Sequence, residues 1–161
     1  MKILSAQLSE ILERIAVHEP TLEEIARLLA QAAIGEGTIF IAAFGEMKAV
    51  AAAALESTEP LPSASEWKPD SILTSADRVF ILAKKDEGDE LAGRLSDAAI
   101  PFAMISAESH STDLPEVFLS LGIDEGISAG GRTVIPHALA ALYAYYNIKL
   151  MMGEMLDEEN Y

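Results

Sequence analysis

The sequence predicts a single α/β domain of three α-β-α layers around a mostly parallel sheet of about four or five strands. Three observations carry this. Continuous apolar runs recur at Thr38–Ala43, Arg78–Ala83 and Pro101–Ser106, a pattern that suits strands buried on both faces. Between them lie short turns followed by stretches of helical character, the βαβ signature with right-handed crossovers expected. The chain has 161 residues, half of them hydrophobic, enough for one core and too apolar for disorder.

Leu4, Leu8, Ile11, Leu12 and Ile15 form one helical stripe, so an N-terminal helix is expected within residues 1–19. Pro20 interrupts the chain, and Thr21-Leu22-Glu23-Glu24 reads as a capping box. That box opens a helix to about Ile34, ended by Gly35 and Gly37. After the first strand, Phe44–Met47 reads as a short turn and Lys48–Glu56 as an Ala-rich helix. Ser57–Ser75, rich in Pro and Ser, reads as a long connection packed on the body by Trp67. Lys84–Gly88 leads from the second strand into a helix through about Ala99. Glu116–Leu121 reads as a short edge strand and Gly126–Thr133 as a Gly-rich loop. A final helix runs from about Pro136 to Leu156, and the acidic residues 157–161 form a frayed tail.

Composition excludes several functions. Eleven Lys and Arg face 26 Asp and Glu, a net charge of −15, which excludes a broad nucleic-acid or anionic-membrane surface. No cysteine is present, which removes disulfides, thiolate catalysis and Cys-based metal sites. The most apolar stretch, Ala138–Met152, falls short of the roughly 20 residues of a membrane span. Polar residues break the N-terminal apolar run that a signal peptide needs, so a cytoplasmic location is expected. Only Asn147 and Lys149 are clearly polar in Ala138–Met152, so the final helix needs cover on nearly all sides. A homodimer through residues 136–156 is therefore expected.

In open α/β sheets, ligands bind beyond the carboxyl ends of the strands. That selects three segments. The first turn holds Phe44, Gly45, Glu46, Met47 and Lys48; the second holds Lys84 and Lys85; the third, around Gly131 and Arg132, leads to His137. Glu46 and His137 are the candidate acid–base groups. Lys48, Lys84, Lys85 and Arg132 are candidate anion holders, and Phe44, Gly45, Met47 and Gly131 are candidate backbone contacts. The competing readings are a self-neutralising charge cluster at Lys84–Glu87, a plain tight turn at Gly130-Gly131, and a structural histidine. His18 reads as a helix-end residue and His110 as a loop residue. No P-loop, Rossmann glycine fingerprint or nucleophile elbow occurs, and no metal or cofactor is expected.

The order of these pieces resembles the SIS (sugar isomerase) domain, with a flavodoxin-like strand order. Within it, the chain is similar to phosphoheptose-isomerase-like members and to small Bacillus-type proteins of that fold. The resemblance covers roughly Thr21–Met152. Its most specific match is Arg132-Thr133-Val134-Ile135-Pro136-His137, similar at Arg132 and His137 to the Arg-Ile-Gln-Glu-Val-His stretch that opens the last helix of phosphoheptose isomerases. The resemblance implies a phosphosugar ligand and an aldose–ketose isomerase reaction. The chain departs from the family pattern at several points. Neither of the first two turns carries a hydroxyl residue. Ala52 stands four before Glu56, where the metal-binding His would be. Val134 and Leu142 occupy the family's helix Gln and catalytic His. The expected function is a SIS-fold sugar-phosphate binder or isomerase. The alternative is a non-catalytic regulatory or protein-interaction module on the same fold.

Overall fold

The computed structural model describes residues 2–159. The chain opens with α1 (Lys2–Ala16) and α2 (Glu19–Ile34), then enters β1 (Ile39–Ala43). A single 3-10 turn, Gly45–Met47, leads into α3 (Lys48–Glu56) and β2 (Ala64–Glu66). Next come β3 (Arg78–Ala83), α4 (Asp89–Asp97), β4 (Phe102–Ser106) and β5 (Val117–Ser120). A small hairpin, β6 (Ile127–Ala129) and β7 (Arg132–Val134), precedes α5 (His137–Glu159). The five main strands form one sheet in the order β2-β1-β3-β4-β5, and every neighbouring pair is parallel.

The period-2 alternation of the central strands divides the core in two. Ile39, Ile41, Phe80, Leu82, Ala103 and Ile105 face α1, α2, α3 and α5. Ala42, Val79, Ile81, Phe102 and Met104 face α4, which presents Leu91, Ala92 and Leu95. Trp67 and Leu73 of the β2–β3 connection complete this thinner side. All residues of β4, and all but Arg78 of β3, are buried, which is why these runs are apolar without interruption.

The carboxylate of Asp77 fastens the strand starts. Its Oδ1 accepts the Thr38 amide at 2.8 Å and its Oδ2 the Thr74 amide at 2.7 Å. Gly37 fits under the same corner, since a Cβ there would lie 1.9 Å from the Ala76 carbonyl oxygen.

Five local expectations change. The Thr21 capping box does not form; α2 starts at Glu19 behind His18 as its N-cap, with Pro20 inside the first turn, where its missing N–H costs nothing. At the other end Gly35 caps the helix as expected and Gly37 donates to the Ala32 carbonyl, but Glu36, not a glycine, takes the left-handed conformation (φ 61°). The Ser57–Ser75 connection contains β2, a three-residue edge strand whose exposed Ser65 and Glu66 hide it from a hydrophobicity reading. The Gly-rich stretch before α5 is a hairpin: Gly130 and Gly131, at φ 59° and 75°, make the two-residue turn that joins β6 to β7. Asp157–Glu159, expected as a frayed tail, belong to α5; residues 160–161 lie outside the described residues.

Tyr145 on α5 is buried, and its hydroxyl has no hydrogen-bond partner among the described residues. Burial pushes its phenol up to about 12. An unsatisfied buried hydroxyl is a cost of about 1–3 kcal/mol. Tyr145→Phe is therefore expected to leave the melting temperature unchanged or raise it. Because the folded phenol stays protonated above the unfolded value of 10, the wild type loses stability as pH rises from 10 toward 12, and the Phe variant loses less there. Calorimetric scans at pH 8 and pH 11 check both expectations.

Candidate functional site

The register of the sheet brings three strand-to-helix turns to one end. Ala43 lies beside Leu82, and Ala83 beside Ser106, so β1, β3 and β4 finish at one level. Phe44–Lys48, Lys84–Gly88 and Ala107–Ser111 therefore leave the sheet together. The first turn is fixed by the Phe44 amide on the Leu82 carbonyl, 2.9 Å, and by Gly45 at φ 58°. The third is fixed at Glu108, whose amide donates to the Lys84 carbonyl and whose carbonyl accepts both Ser106 Oγ at 2.8 Å and Ser120 Oγ at 3.1 Å.

His137, the first residue of α5, meets this end of the sheet. Its side chain is 4% exposed. Nε2 lies 2.9 Å from the Ile123 carbonyl oxygen, which only accepts, so the partner assigns a proton to Nε2. Nδ1 lies 3.2 Å from Glu46 Oε1, an ion-pair distance when the ring is protonated. Glu108 Oε2 stands 3.8 Å from Nε2 on the other side. The imidazole is thus set between two carboxylates, with Nε2 hydrogen-bonded and Nδ1 close to Glu46. Glu46 is different: its side chain is 54% exposed, so part of it faces solvent at the strand ends.

Two further contacts tie the third turn to its neighbours. Ser109 donates its amide to Asp124 Oδ1 at 2.8 Å and its hydroxyl to Oδ2 at 2.6 Å. His110 Nε2 lies 3.1 Å from Asp89 Oδ1 at the start of α4, and its ring meets Phe118 edge-on. The two Ser109 hydrogen bonds, hydroxyl first, hold the Asp124 carboxyl below its usual range, with the charges of Lys85 and His137 adding to this.

The structure brings Glu46 and His137 together. Lys84 and Lys85 are exposed on the adjacent turn, and neither forms an ion pair among the described residues. Lys48 is exposed at the start of α3, and Phe44 is half-buried against the α4 side of the sheet. Met47 offers a ligand nothing: its side chain is fully buried, and its amide donates to the Phe44 carbonyl. The amide of Lys85 is taken by the Glu87 carboxylate at 2.8 Å. Gly131 and Arg132 sit on the exposed β6–β7 hairpin, and Arg132 has no hydrogen bond or ion pair to the Glu46–His137 turn among the described residues. Sequence reasoning missed Glu108, Ser109 and Asp124 as neighbours of His137. The signal available was the polar density of Glu108–Asp113, directly after a buried strand.

Two cavities lie elsewhere and are chemically poorer. One of about 510 Å³ lies between α2 and α5, lined by Glu19, Glu23, Met151, Met155 and Glu158. Another of about 370 Å³ lies between α1 and residues 122–127. Neither contains a histidine or a lysine. The strand ends carry the stronger chemical signal, a buried imidazole beside a solvent-facing carboxylate. No group of three or more potential metal ligands occurs among the described residues.

The Ser109–Asp124 link has a definite pH dependence. A carboxyl held below its ordinary value of 3.8 supplies its stabilisation above that pH and loses it as pH falls through the lowered native value. The Ser109 amide is expected to stay protected from hydrogen exchange at pH 4 and to lose protection on further acidification. Protection already lost at pH 5 would contradict the link.

A protein of Bacillus subtilis (strain 168), "Uncharacterized protein YwjG", is 29% identical over 170 residues, covering 98% of each chain. Among solved structures, the Vibrio vulnificus NanR protein complexed with ManNAc-6P is similar, with a TM-score of 0.63 and 18% identity. The match covers 96% of this chain and 61% of that one, so the two share a fold over nearly all of the shorter molecule. No helix of the described residues is long and apolar enough to cross a membrane. The chain belongs to the family described as a domain of unknown function, DUF2529, which it matches over residues 1–156.

Proposed function

We propose that this chain is a cytoplasmic, single-domain, SIS-type protein that binds a sugar phosphate at the carboxyl ends of β1, β3 and β4. The observation that carries the proposal is the Glu46–His137 pair, a buried imidazole holding a half-exposed carboxylate at 3.2 Å where three strand ends meet. The shared fold with a protein solved in complex with ManNAc-6P, a phosphorylated amino sugar, supports the ligand class. Lys84 and Lys85 supply positive charge for the phosphate. Glu46 accepts a sugar hydroxyl or a proton, and His137, held by the Ile123 carbonyl on Nε2, orients it.

An aldose–ketose isomerisation would use the free side of Glu46 as the base that moves a proton between adjacent carbons. The non-catalytic reading is favoured by one specific observation: Ala52 and Leu142 stand where the resemblance would put the metal-binding and catalytic histidines. Binding is therefore the primary activity proposed, with isomerisation second.

A thermal-shift series with ManNAc-6P and other hexose and heptose phosphates tests the binding. At least one is expected to raise the melting temperature, and Glu46→Gln is expected to reduce that rise. No shift with any of them would overturn the ligand class. If a ligand is also turned over, Glu46→Gln is expected to cut the rate by about 10²–10⁴.

The proposal includes a homodimer through α5. Leu139, Tyr146 and Leu150, at 47%, 51% and 71% exposure, repeat at i, i+7 and i+11 and so share one face of the helix. Ile135, just before the helix, is also exposed. An apolar stripe of this kind suits a symmetric copy of itself. Light scattering after size exclusion is expected to give twice the mass of the 17.3 kDa chain, and Leu139→Glu with Leu150→Glu to give the monomer. A wild-type monomer at tens of micromolar would contradict the dimer.

A further inference from the structure

We propose that Asp124 is a positioning residue for the Glu46–His137 pair, acting through Ser109 and the Ile123 carbonyl. The proposal rests on the reading of that pair as the ligand site, but its first measurement needs no ligand.

The pairing of β4 with β5 ends at Ser106 beside Ser120. Beyond that point the two chains still run side by side. The Leu121 amide donates to the Ser106 carbonyl at 2.8 Å, and the Ile123 amide to the Ala107 carbonyl at 2.9 Å. Gly122, at φ 68°, bends the second chain away, and no further backbone rung joins it to Ser109. The carboxylate of Asp124 takes the place of that rung with two hydrogen bonds, from the Ser109 amide and hydroxyl. Asp124 extends the ladder past the bend with side-chain atoms.

The Ile123 carbonyl sits between the last backbone rung, made by its own amide, and this side-chain rung. Its own side chain is buried, which leaves its carbonyl as the group facing His137 Nε2. That carbonyl is the acceptor within hydrogen-bond distance of Nε2, because Glu108 stands off at 3.8 Å. If the Asp124 rung is lost, Ile123 is anchored on one side only. A shift of about half an ångström then takes a 2.9 Å contact out of the effective range. Nε2 then loses the acceptor that holds the ring in its place beside Glu46. Lys85 and His137, the charges that face Asp124, both favour its ionised, hydrogen-bond-accepting form.

The side chains differ in what they keep. Asp124→Asn retains an acceptor for the Ser109 amide and turns the hydroxyl bond round, so it conserves the rung. Asp124→Ala removes both bonds. Ser109→Ala removes the hydroxyl bond alone.

Long-range proton–nitrogen correlation on the labelled full chain reads the imidazole directly, with His137 assigned by His137→Gln. The wild type is expected to show a slowly exchanging Nε2–H for His137. Asp124→Ala is expected to lose that signal with the far-ultraviolet spectrum unchanged, Ser109→Ala to exchange it faster, and Asp124→Asn to keep it. Where ManNAc-6P binds the wild type, Asp124→Ala is expected to weaken it by about tenfold while Asp124→Asn does not. An unchanged His137 signal in both Asp124→Ala and Ser109→Ala overturns the positioning role. If Asp124→Ala does not fold, Ser109→Ala alone decides. Failure of every sugar phosphate to bind the wild type overturns the ligand reading and leaves the imidazole comparison standing.

Discussion

Strands β3 and β4 are covered on both faces, by four helices on one side and by α4 with the Trp67 connection on the other. Their backbone groups have no access to water except at the strand ends, so polar chemistry is confined to the turns that leave them. The parallel register then aligns those turns. This constraint makes a site out of residues as distant in sequence as Glu46, Glu108 and His137. It also explains why the loops are pinned so heavily. Glu108 spends its amide and carbonyl on three partners because it is the first residue with room to reach solvent after the buried Ser106-Ala107 pair.

The chemistry of the site follows from which groups remain free. A buried histidine at a helix start is unfavourable as a bare cation, since the helix dipole is positive there. Two carboxylates and a carbonyl offset that around His137. In the proposed reading the imidazole is consequently a fixture, and the exposed part of Glu46 is offered to the ligand. The net charge of −15 does not prevent an anion from binding locally, because Lys84 and Lys85 stand exposed at the same end. The acidic side chains of this region are partly consumed: Glu46 on His137, Glu87 on the Lys85 amide, Asp89 on His110 and Asp124 on Ser109.

Much of the fold was legible because burial on both faces writes an unmistakable pattern. Val79–Ala83 and Phe102–Ser106 read as strands for the same reason that they are buried. The edge strand β2 was not legible, because Ala64-Ser65-Glu66 pairs with β1 alone and has little apolar surface to display. The Thr21 box failed against Pro20, whose fixed φ is as good a first-turn residue as any. At the site, Glu46 and His137 could be selected by position, one at a strand end and the other at a helix start. Met47 could not be rejected, because the 3-10 turn that points it into the core leaves no periodic trace. The Ser109–Asp124 rung spans 15 residues and a bend, so only the folded geometry reveals it.

The central claim is that the strand-end cluster around Glu46 and His137 receives a phosphorylated sugar. Backbone amide shift mapping on the full chain during titration with ManNAc-6P tests it most directly. The account expects saturable perturbations at Gly45, Glu46, Lys85, Glu108 and His137, with the α2–α5 cavity around Glu23 and Met155 unaffected. Perturbations confined to that cavity, or none at millimolar ligand, would contradict it.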